Sequence, residues 1–302
     1  MKMVIIKVWS IIRSIWFIIL TLIVFYAMDL ALTLRAPVER SLYFQKNDFE
    51  KVIISHGGVK EFEKVLYGNS ALISSYIEKR SDSGYINFGI DYGTVSDLWK
   101  MLNRRDLEVT RELVIGLNCF VLLDTLDTNP TYAWHRTALE PYVFFQRDRI
   151  SPVLESMADN ILNGDRVFSL TRHSSLNRTV YHGVMTDAEL AEKNAVNQEL
   201  FWWQGIESYA KNLRDLEKVI GWCEENGVRL RVFWQPWNSG VETPGNPALV
   251  AKRVNEILAS RGVPVMDYSD SLPRKYFHDI GHLNYEYGAP AFTEVLDLWL
   301  LS

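Results

Sequence analysis

The chain has 302 residues, of which 48% are hydrophobic and 23% charged, a composition typical of a globular protein and not of a disordered or fibrous one. The formal net charge is −5, and because residues 1–28 hold three basic side chains and no acid, the remainder carries 29 basic against 37 acidic residues. Binding to phosphates needs a basic face, so nucleic acid is excluded as an expected partner. Cys119 and Cys223 lie in apolar stretches and are predicted to be buried thiols, with no disulfide inferred.

The N-terminus carries a long apolar segment. No residue from Ile15 to Met28 is charged, and residues 8–28 contain only Arg13, which meets the requirement of about 20 apolar residues for a bilayer-spanning helix. Basic residues precede this segment and Asp29 follows it, so the positive-inside rule predicts a cytoplasmic N-terminus. A cleaved signal peptide is the alternative, but the flanking residues fit a cleavage site poorly. We predict a single-pass anchor in the cell membrane over residues 1–35 and an extracytoplasmic domain over residues 36–302.

The rest of the chain alternates short apolar runs with amphipathic segments, which is the pattern of an α/β fold. The predicted strands are Lys64–Tyr67, Tyr85–Phe88, Leu113–Leu123, Leu230–Trp234 and Val263–Asp267. The predicted helices are Asp97–Leu102, Tyr209–Asn226, Pro247–Ser260 and Ala289–Leu300. Between about 129 and 209 the sequence is aromatic and polar without a steady period, which predicts an insertion or a lid over a crevice.

A candidate nucleophile follows the first predicted strand. Tyr67-Gly68-Asn69-Ser70 comes directly after an apolar pair and precedes a helical pattern. A serine on a Gly-bearing turn between a strand and a helix is exposed and is flanked by free backbone N–H groups. Serine is also a common helix N-cap, so Ser70 has a structural interpretation beside the catalytic one.

A second group of polar residues lies near the C-terminus. Asp279 precedes His282 by three residues on a predicted loop, so its carboxylate can orient the imidazole while the other ring nitrogen faces a hydroxyl nucleophile. A metal site formed by His278, Asp279 and His282 is one alternative, although two histidines at this spacing bind a metal best from a helix. A purely structural loop is the other.

These segments occur in a recognisable order. Gly68-x-Ser70, Gly89, Gly116-x-Asn118 and Asp279-x-x-His282 follow the order of the four blocks of the SGNH hydrolase superfamily. The chain resembles the membrane-anchored branch related to DltD and to exopolysaccharide O-acyltransferases. The resemblance implies a three-layer, flavodoxin-like fold with a parallel sheet. It also implies a reaction that uses no cofactor and no metal.

The resemblance also implies roles for individual residues. Ser70 is then the nucleophile, His282 the general base and Asp279 the residue that orients it. The Ser70 N–H, the Gly89 N–H and the Asn118 side chain are then the oxyanion hole. Asn69 stands where the hydrolases usually have Asp.

Aromatic residues offer a possible surface for sugars, whose flat C–H faces stack on aromatic rings. Trp237 follows a predicted strand, and Trp203 and Trp134 lie in the predicted insertion. Loops after strands open onto the crevice of an α/β sheet, so these three tryptophans are candidates for substrate binding. Burial in the core is the competing interpretation.

The expected function is acyl transfer at Ser70 on the outer face of a membrane. If a glycan hydroxyl accepts the acyl group, the protein O-acylates, for example O-acetylates, a cell-surface polysaccharide; if water accepts it, the protein is an esterase. The resemblance implies that a multi-spanning MBOAT-type acyltransferase supplies the acyl group. A non-catalytic glycan-binding or scaffold subunit is a third possibility.

Overall fold

The computed structural model describes residues 2–35, 46–129, 131–135, 154, 157–167, 176–241 and 245–302. The chain divides into two compact units, and each is considered by itself. One comprises residues 1–46 and 130–175, and the other comprises residues 47–129 and 176–302. The predicted insertion at about 129–209 therefore falls in both units, and its residues 130, 136–153, 155–156 and 168–175 lie outside the described residues.

The first unit contains the N-terminal helix α1, Lys2–Arg35. Its segment Arg13–Ala31 is long and apolar enough to cross a membrane. Large apolar side chains such as Phe17 are mostly exposed along this segment, as expected of a helix whose surroundings are hydrocarbon rather than protein. The predicted apolar helix is thus present, and its orientation across a membrane stays a prediction.

The second unit contains a sheet and its flanking helices. Its helices are α2 (Asp48–Ser55), α3 (Ser70–Ser75), α4 (Val95–Asn103), α5 (Asp187–Asn197), α6 (Ala210–Asn226), α7 (Gly245–Ser260) and α8 (Gly288–Leu300). Its strands are β1 (Glu61–Gly68), β2 (Ile86–Gly89), β3 (Glu108–Leu117), β4 (Arg229–Trp234) and β5 (Val265–Asp267).

All five strands are parallel and lie in the order β2-β1-β3-β4-β5. Each predicted strand is present, but β3 ends at Leu117 rather than at Leu123. The Asn118 side chain accepts a hydrogen bond from the Val121 N–H at 3.1 Å, which turns the chain into a 3-10 helix at Phe120–Leu122. An apolar run alone does not distinguish these two conformations.

The core lies on both faces of the sheet. Leu66, Val114 and Phe233 of the central strands pack on one face with Leu72 of α3 and Phe292 of α8. Successive strand residues point to opposite faces, so the neighbouring buried residues of the same strands cover the other face, where α4 packs against α6. An all-parallel sheet that is buried on both faces is the arrangement of a three-layer α/β fold.

Helix α5 lies in the part of the predicted insertion that belongs to the second unit. Thr186 caps it by accepting from the Glu189 N–H, and the Glu189 side chain accepts in return from the Thr186 N–H, which completes a capping box. A π-helical turn, Gln198–Trp202, continues the chain beyond α5. This helix is absent from the predicted elements because its apolar residues are few: besides alanines it holds only Leu190, which is buried, and Val196.

Candidate active site

The strand order predicts a crevice at the carboxyl ends of the central strands. Strands β1 and β3 are neighbours and β2 lies outside β1, so the winding of the sheet reverses between β1 and β3. Ligands of doubly wound sheets bind at such a switch point, beyond the carboxyl ends of the strands. Ser70 follows β1, Asn118 follows β3, and both line a crevice of about 370 Å³.

Ser70 is presented to this crevice by a tight turn. Asn69, not Ser70, is the N-cap of α3, because the Asn69 side chain accepts from the Ala71 N–H at 3.1 Å. The hydroxyl of Ser70, at the first helical position, is therefore available for chemistry. Gly68 lets α3 begin close to the end of β1, because a Cβ at Gly68 would lie only 2.9 Å from the Leu72 Cβ.

The predicted triad is assembled in the structure. The Ser70 Oγ lies 2.9 Å from the His282 Nε2, and the His282 Nδ1 lies 2.8 Å from the Asp279 Oδ2. The Asp279 Oδ1 also accepts from the backbone N–H groups of Gly281 and His282, at 3.0 and 2.8 Å. The loop thus fixes the carboxylate, the carboxylate fixes the imidazole, and the imidazole reaches the serine.

A lysine that the sequence analysis did not single out contacts the same carboxylate. Lys193 of α5 donates from its Nζ to the Asp279 Oδ2 and also lines the crevice. Burial opposes ionisation of Asp279, but the hydrogen bond and charge of His282, together with those of Lys193, outweigh it. The pKa of Asp279 therefore lies well below its ordinary value, and the group is a carboxylate throughout the physiological range.

Two asparagines also line the crevice. Asn69 and Asn118 exchange hydrogen bonds, each Nδ2 donating to the other's Oδ1 at 3.2 Å. The Gln235 Nε2 donates to the Gly116 carbonyl at 2.9 Å beneath them. An aspartate at position 69 could not donate to Asn118, so the asparagine at this position is matched to its partner. Asn118 lines the same crevice as Ser70, and its role as an oxyanion-binding amide stays a prediction.

Gly89 is not brought to the crevice. Its N–H donates to the Asn87 Oδ1 at 3.0 Å, and Gly89 is not among the residues that line the crevice. A Cβ at Gly89 would lie 2.8 Å from the Ile73 Cγ1 and 2.9 Å from the Ile73 N. The position therefore needs glycine because α3 packs directly on it, and the structure does not supply its N–H to an oxyanion.

The three candidate tryptophans have different surroundings. Trp237 lines the crevice. Trp203 is 71% exposed and is not a lining residue. Trp134 is buried in the first unit, where its ring stacks on Tyr132 at 4.7 Å, so it presents no free face to a sugar. Of the three, the structure brings only Trp237 together with Ser70.

Two further residues beside the triad were not predicted. The Tyr181 ring stacks on the His282 ring with centroids 4.1 Å apart, which limits the rotation of the imidazole. Asp91 also lines the crevice, and burial, followed by the charge of Asp48, raises its pKa. Tyr181 lies in the region without a steady period and Asp91 follows a short strand, so neither gave a signal in the sequence.

The three residues of the alternative metal site have different contacts. The His278 Nδ1 lies 2.8 Å from the His182 carbonyl oxygen, while Asp279 and His282 contact each other. Within the described part of the chain, no group of three or more His, Cys, Asp or Glu residues is placed to hold a metal ion.

Comparison with known proteins adds no assignment. No protein-family model matches the chain, and no curated protein sequence matches it. The chemistry of the site is therefore inferred from its geometry.

Proposed function

We propose that this protein is a membrane-anchored serine acyltransferase that O-acylates a cell-surface polysaccharide, and that it is related to the SGNH hydrolase superfamily. The observation that carries the proposal is the continuous hydrogen-bonded chain from the Ser70 Oγ through His282 to Asp279. The residues that make these hydrogen bonds come from distant parts of the sequence: Ser70 lies near the start of the second unit, and Asp279 and His282 lie near its end. A serine and a histidine in hydrogen-bond contact, with the histidine oriented by a carboxylate, are the arrangement that nucleophilic acyl transfer requires.

The first half-reaction acylates Ser70. The His282 Nε2 takes the hydroxyl proton as the Ser70 Oγ attacks the acyl carbonyl carbon, and Asp279 stabilises the imidazolium that forms. The negative charge that develops on the carbonyl oxygen is stabilised by the Ser70 N–H and the Asn118 side chain. When the tetrahedral intermediate collapses, the bond to the leaving group breaks and His282 returns the proton to that group.

The second half-reaction passes the acyl group on. His282 removes a proton from an acceptor hydroxyl, whose oxygen attacks the ester carbon. The bond between that carbon and the Ser70 Oγ then breaks, and His282 returns the proton to Ser70. A sugar hydroxyl as the acceptor gives O-acylation, and water gives ester hydrolysis. An apolar N-terminal helix long enough to span a membrane favours transfer, because tethering raises the effective concentration of the domain near a membrane-embedded donor of the MBOAT type.

The experiment that tests the proposal is labelling of the full chain with a fluorophosphonate. We expect modification of Ser70 and a loss of at least about 100-fold in labelling rate in His282→Ala, since general-base catalysis contributes about that much. Ser74→Ala is the matched control, because Ser74 lies in the same helix but hydrogen-bonds to the Ala71 carbonyl. Labelling of another residue, or equal labelling in wild type and His282→Ala, contradicts the assigned nucleophile and base.

A further inference from the structure

Helix α5 and the turn after it present one face to the crevice. Lys193, Val196, Asn197 and Leu200 all line it, and their spacing places them on one side of a helix. Val196 and Leu200 nevertheless stay 47% and 52% exposed. Two aliphatic side chains therefore point into the crevice while still open to solvent, which costs free energy until a ligand covers them.

The wall next to this face is aromatic. The Phe120 ring lies 5.2 Å from the Phe201 ring and 6.1 Å from the Trp237 ring, measured between centroids. Phe120 follows Asn118 by two residues, so the aromatic wall begins beside the predicted oxyanion-binding amide. We call the six apolar residues of this part of the crevice the apolar end: Phe120, Leu126, Val196, Leu200, Phe201 and Trp237.

The chemistry of the apolar end discriminates between possible ligands. Asn197 is the polar residue that shares the α5 face with its aliphatic members, and Lys193 is already paired with Asp279. A sugar ring buried here would bring several hydroxyls with few partners, and an unpaired buried hydroxyl is unfavourable. A hydrocarbon chain needs no hydrogen-bond partners, and it would cover the exposed side chains of Val196 and Leu200.

We propose that the apolar end binds the hydrocarbon chain of the acyl group that Ser70 takes up, and that this acyl group is longer than acetyl. The inference rests on the proposed function, since it needs an acyl-serine at Ser70. The polar lining residues Asp91, Tyr92 and Tyr181 are then left for the acceptor hydroxyl and its sugar. In the covalent step the bond between the acyl carbon and its leaving group breaks, the bond to the Ser70 Oγ forms, and the Ser70 proton passes through His282 to the leaving group, so the hydrocarbon chain is unchanged.

The test is a series of 4-nitrophenyl esters, from acetate through butanoate and hexanoate to octanoate, with the full chain in detergent and each ester below its aggregation concentration. We expect kcat/KM to rise by up to about fourfold for each methylene group that is buried, and then to level off when the apolar end is full. The series is repeated as labelling rates with alkyl fluorophosphonates of matching chain length, which do not depend on turnover.

Two substitutions at one position sharpen the test. Leu200→Ser should flatten the dependence on chain length, and Leu200→Trp should fill the apolar end and lower the ratio of the octanoate kcat/KM to the acetate kcat/KM. Such a change in selectivity cannot come from misfolding. Leu298→Ser is the matched control, because Leu298 is a 76% exposed leucine of α8 that does not line the crevice.

The outcomes separate this inference from the proposed function. If Ser70 is labelled but acetate is the best substrate, or the rates do not depend on chain length, the acyl-chain site is wrong and the nucleophile stands. If Leu200→Ser and Leu298→Ser change the series equally, the site is also wrong. If Ser70 is neither labelled nor active towards any ester, the proposed function fails and the acyl-chain site fails with it.

Discussion

Lys193 gives the Asp279 carboxylate a positively charged partner in addition to the His282 ring. The carboxylate already accepts from two backbone N–H groups and from the His282 ring, and the ammonium contacts the oxygen that faces the imidazole. Its positive charge opposes the attraction between the carboxylate and a protonated His282. Lys193 is thus a positioning residue: it holds Asp279 in place and limits how strongly that residue favours the imidazolium.

Replacing Lys193 by methionine should therefore move the acid limb of the pH dependence of kcat/KM. Without the ammonium, the carboxylate stabilises the imidazolium more strongly, so the midpoint of the acid limb should move to higher pH. Lys193→Arg should restore the original midpoint. Lys252→Met, an exposed lysine of α7, controls for the loss of one positive charge. If both methionine variants shift the profile alike, Lys193 has no specific effect on the triad.

Asp279 should also make stability depend on pH. Its pKa in the folded chain lies below the ordinary value of 3.8, so between the two values the unfolded chain binds more protons than the folded one. The stability from Asp279 is fully present above about pH 4 and is lost as the pH falls through the folded pKa. Asp279→Asn should cost about 1–3 kcal/mol at pH 7, because buried donors lose a charged acceptor, while the Lys193 ammonium, which is 35% exposed, is partly solvated.

Thermal unfolding of wild type and Asp279→Asn at a series of pH values checks this. The difference between the two proteins isolates Asp279, since the other carboxylates titrate in both. A gap in melting temperature that stays constant as the pH falls well below 4 contradicts the assigned shift.

At the scale of the elements, the position of Ser70 depends on how closely α3 packs on β2. Gly89 ends β2 directly beneath α3, and Arg178 donates to the Gly89 carbonyl at 3.0 Å and to the Asn87 carbonyl at 2.8 Å. Burial lowers the pKa of this arginine. The end of β2 is thus fixed by two contacts: the packing of α3 on Gly89 and the hydrogen bonds from Arg178.

Gly89→Ala tests this packing. The added methyl group would overlap Ile73, so α3 must shift, and we expect a loss of about 1–3 kcal/mol in the free energy of unfolding together with slower labelling of Ser70. Gly221→Ala in α6 is the control, because the added Cβ has no atom within 4 Å beyond its chain neighbours and the backbone of its own helix, and it should be neutral or stabilising. Full stability and full labelling in Gly89→Ala would show that α3 does not rest on this glycine.

The same elements show how far the sequence predicts the fold. The strands and the helices of the core follow from apolar runs and helical spacing, because burial imposes those periods. The triad follows from short motifs in which Asp279 and His282 are three residues apart. Lys193 and Tyr181 approach the triad only through tertiary packing of a segment with no regular period, so no local sequence pattern predicts their positions. Gly89 was expected to donate an N–H, but close packing explains the glycine at that position.

At the scale of the whole molecule, the triad does not distinguish transfer from hydrolysis, since both proceed through the same acyl-serine. The difference lies in which acceptor reaches the ester first. A domain tethered by a membrane helix meets its donor at the membrane surface, where the effective concentration of donor and of surface glycan is high. A secreted esterase gains nothing from such a tether. The apolar helix at Arg13–Ala31 therefore favours transfer.

Ser70→Ala, expressed at the normal level in the native host, should therefore lower the O-acyl content of a surface polysaccharide, because no acyl-serine can form. The measurement is the ester content of purified polysaccharide by proton NMR, with Ser74→Ala as the control for a buried serine of the same helix. A higher ester content in Ser70→Ala means that the protein removes acyl groups, and it is then an esterase. An unchanged content in Ser70→Ala, with complete loss on deletion of the whole chain, means that the nucleophile is dispensable and that the protein acts as a non-catalytic subunit.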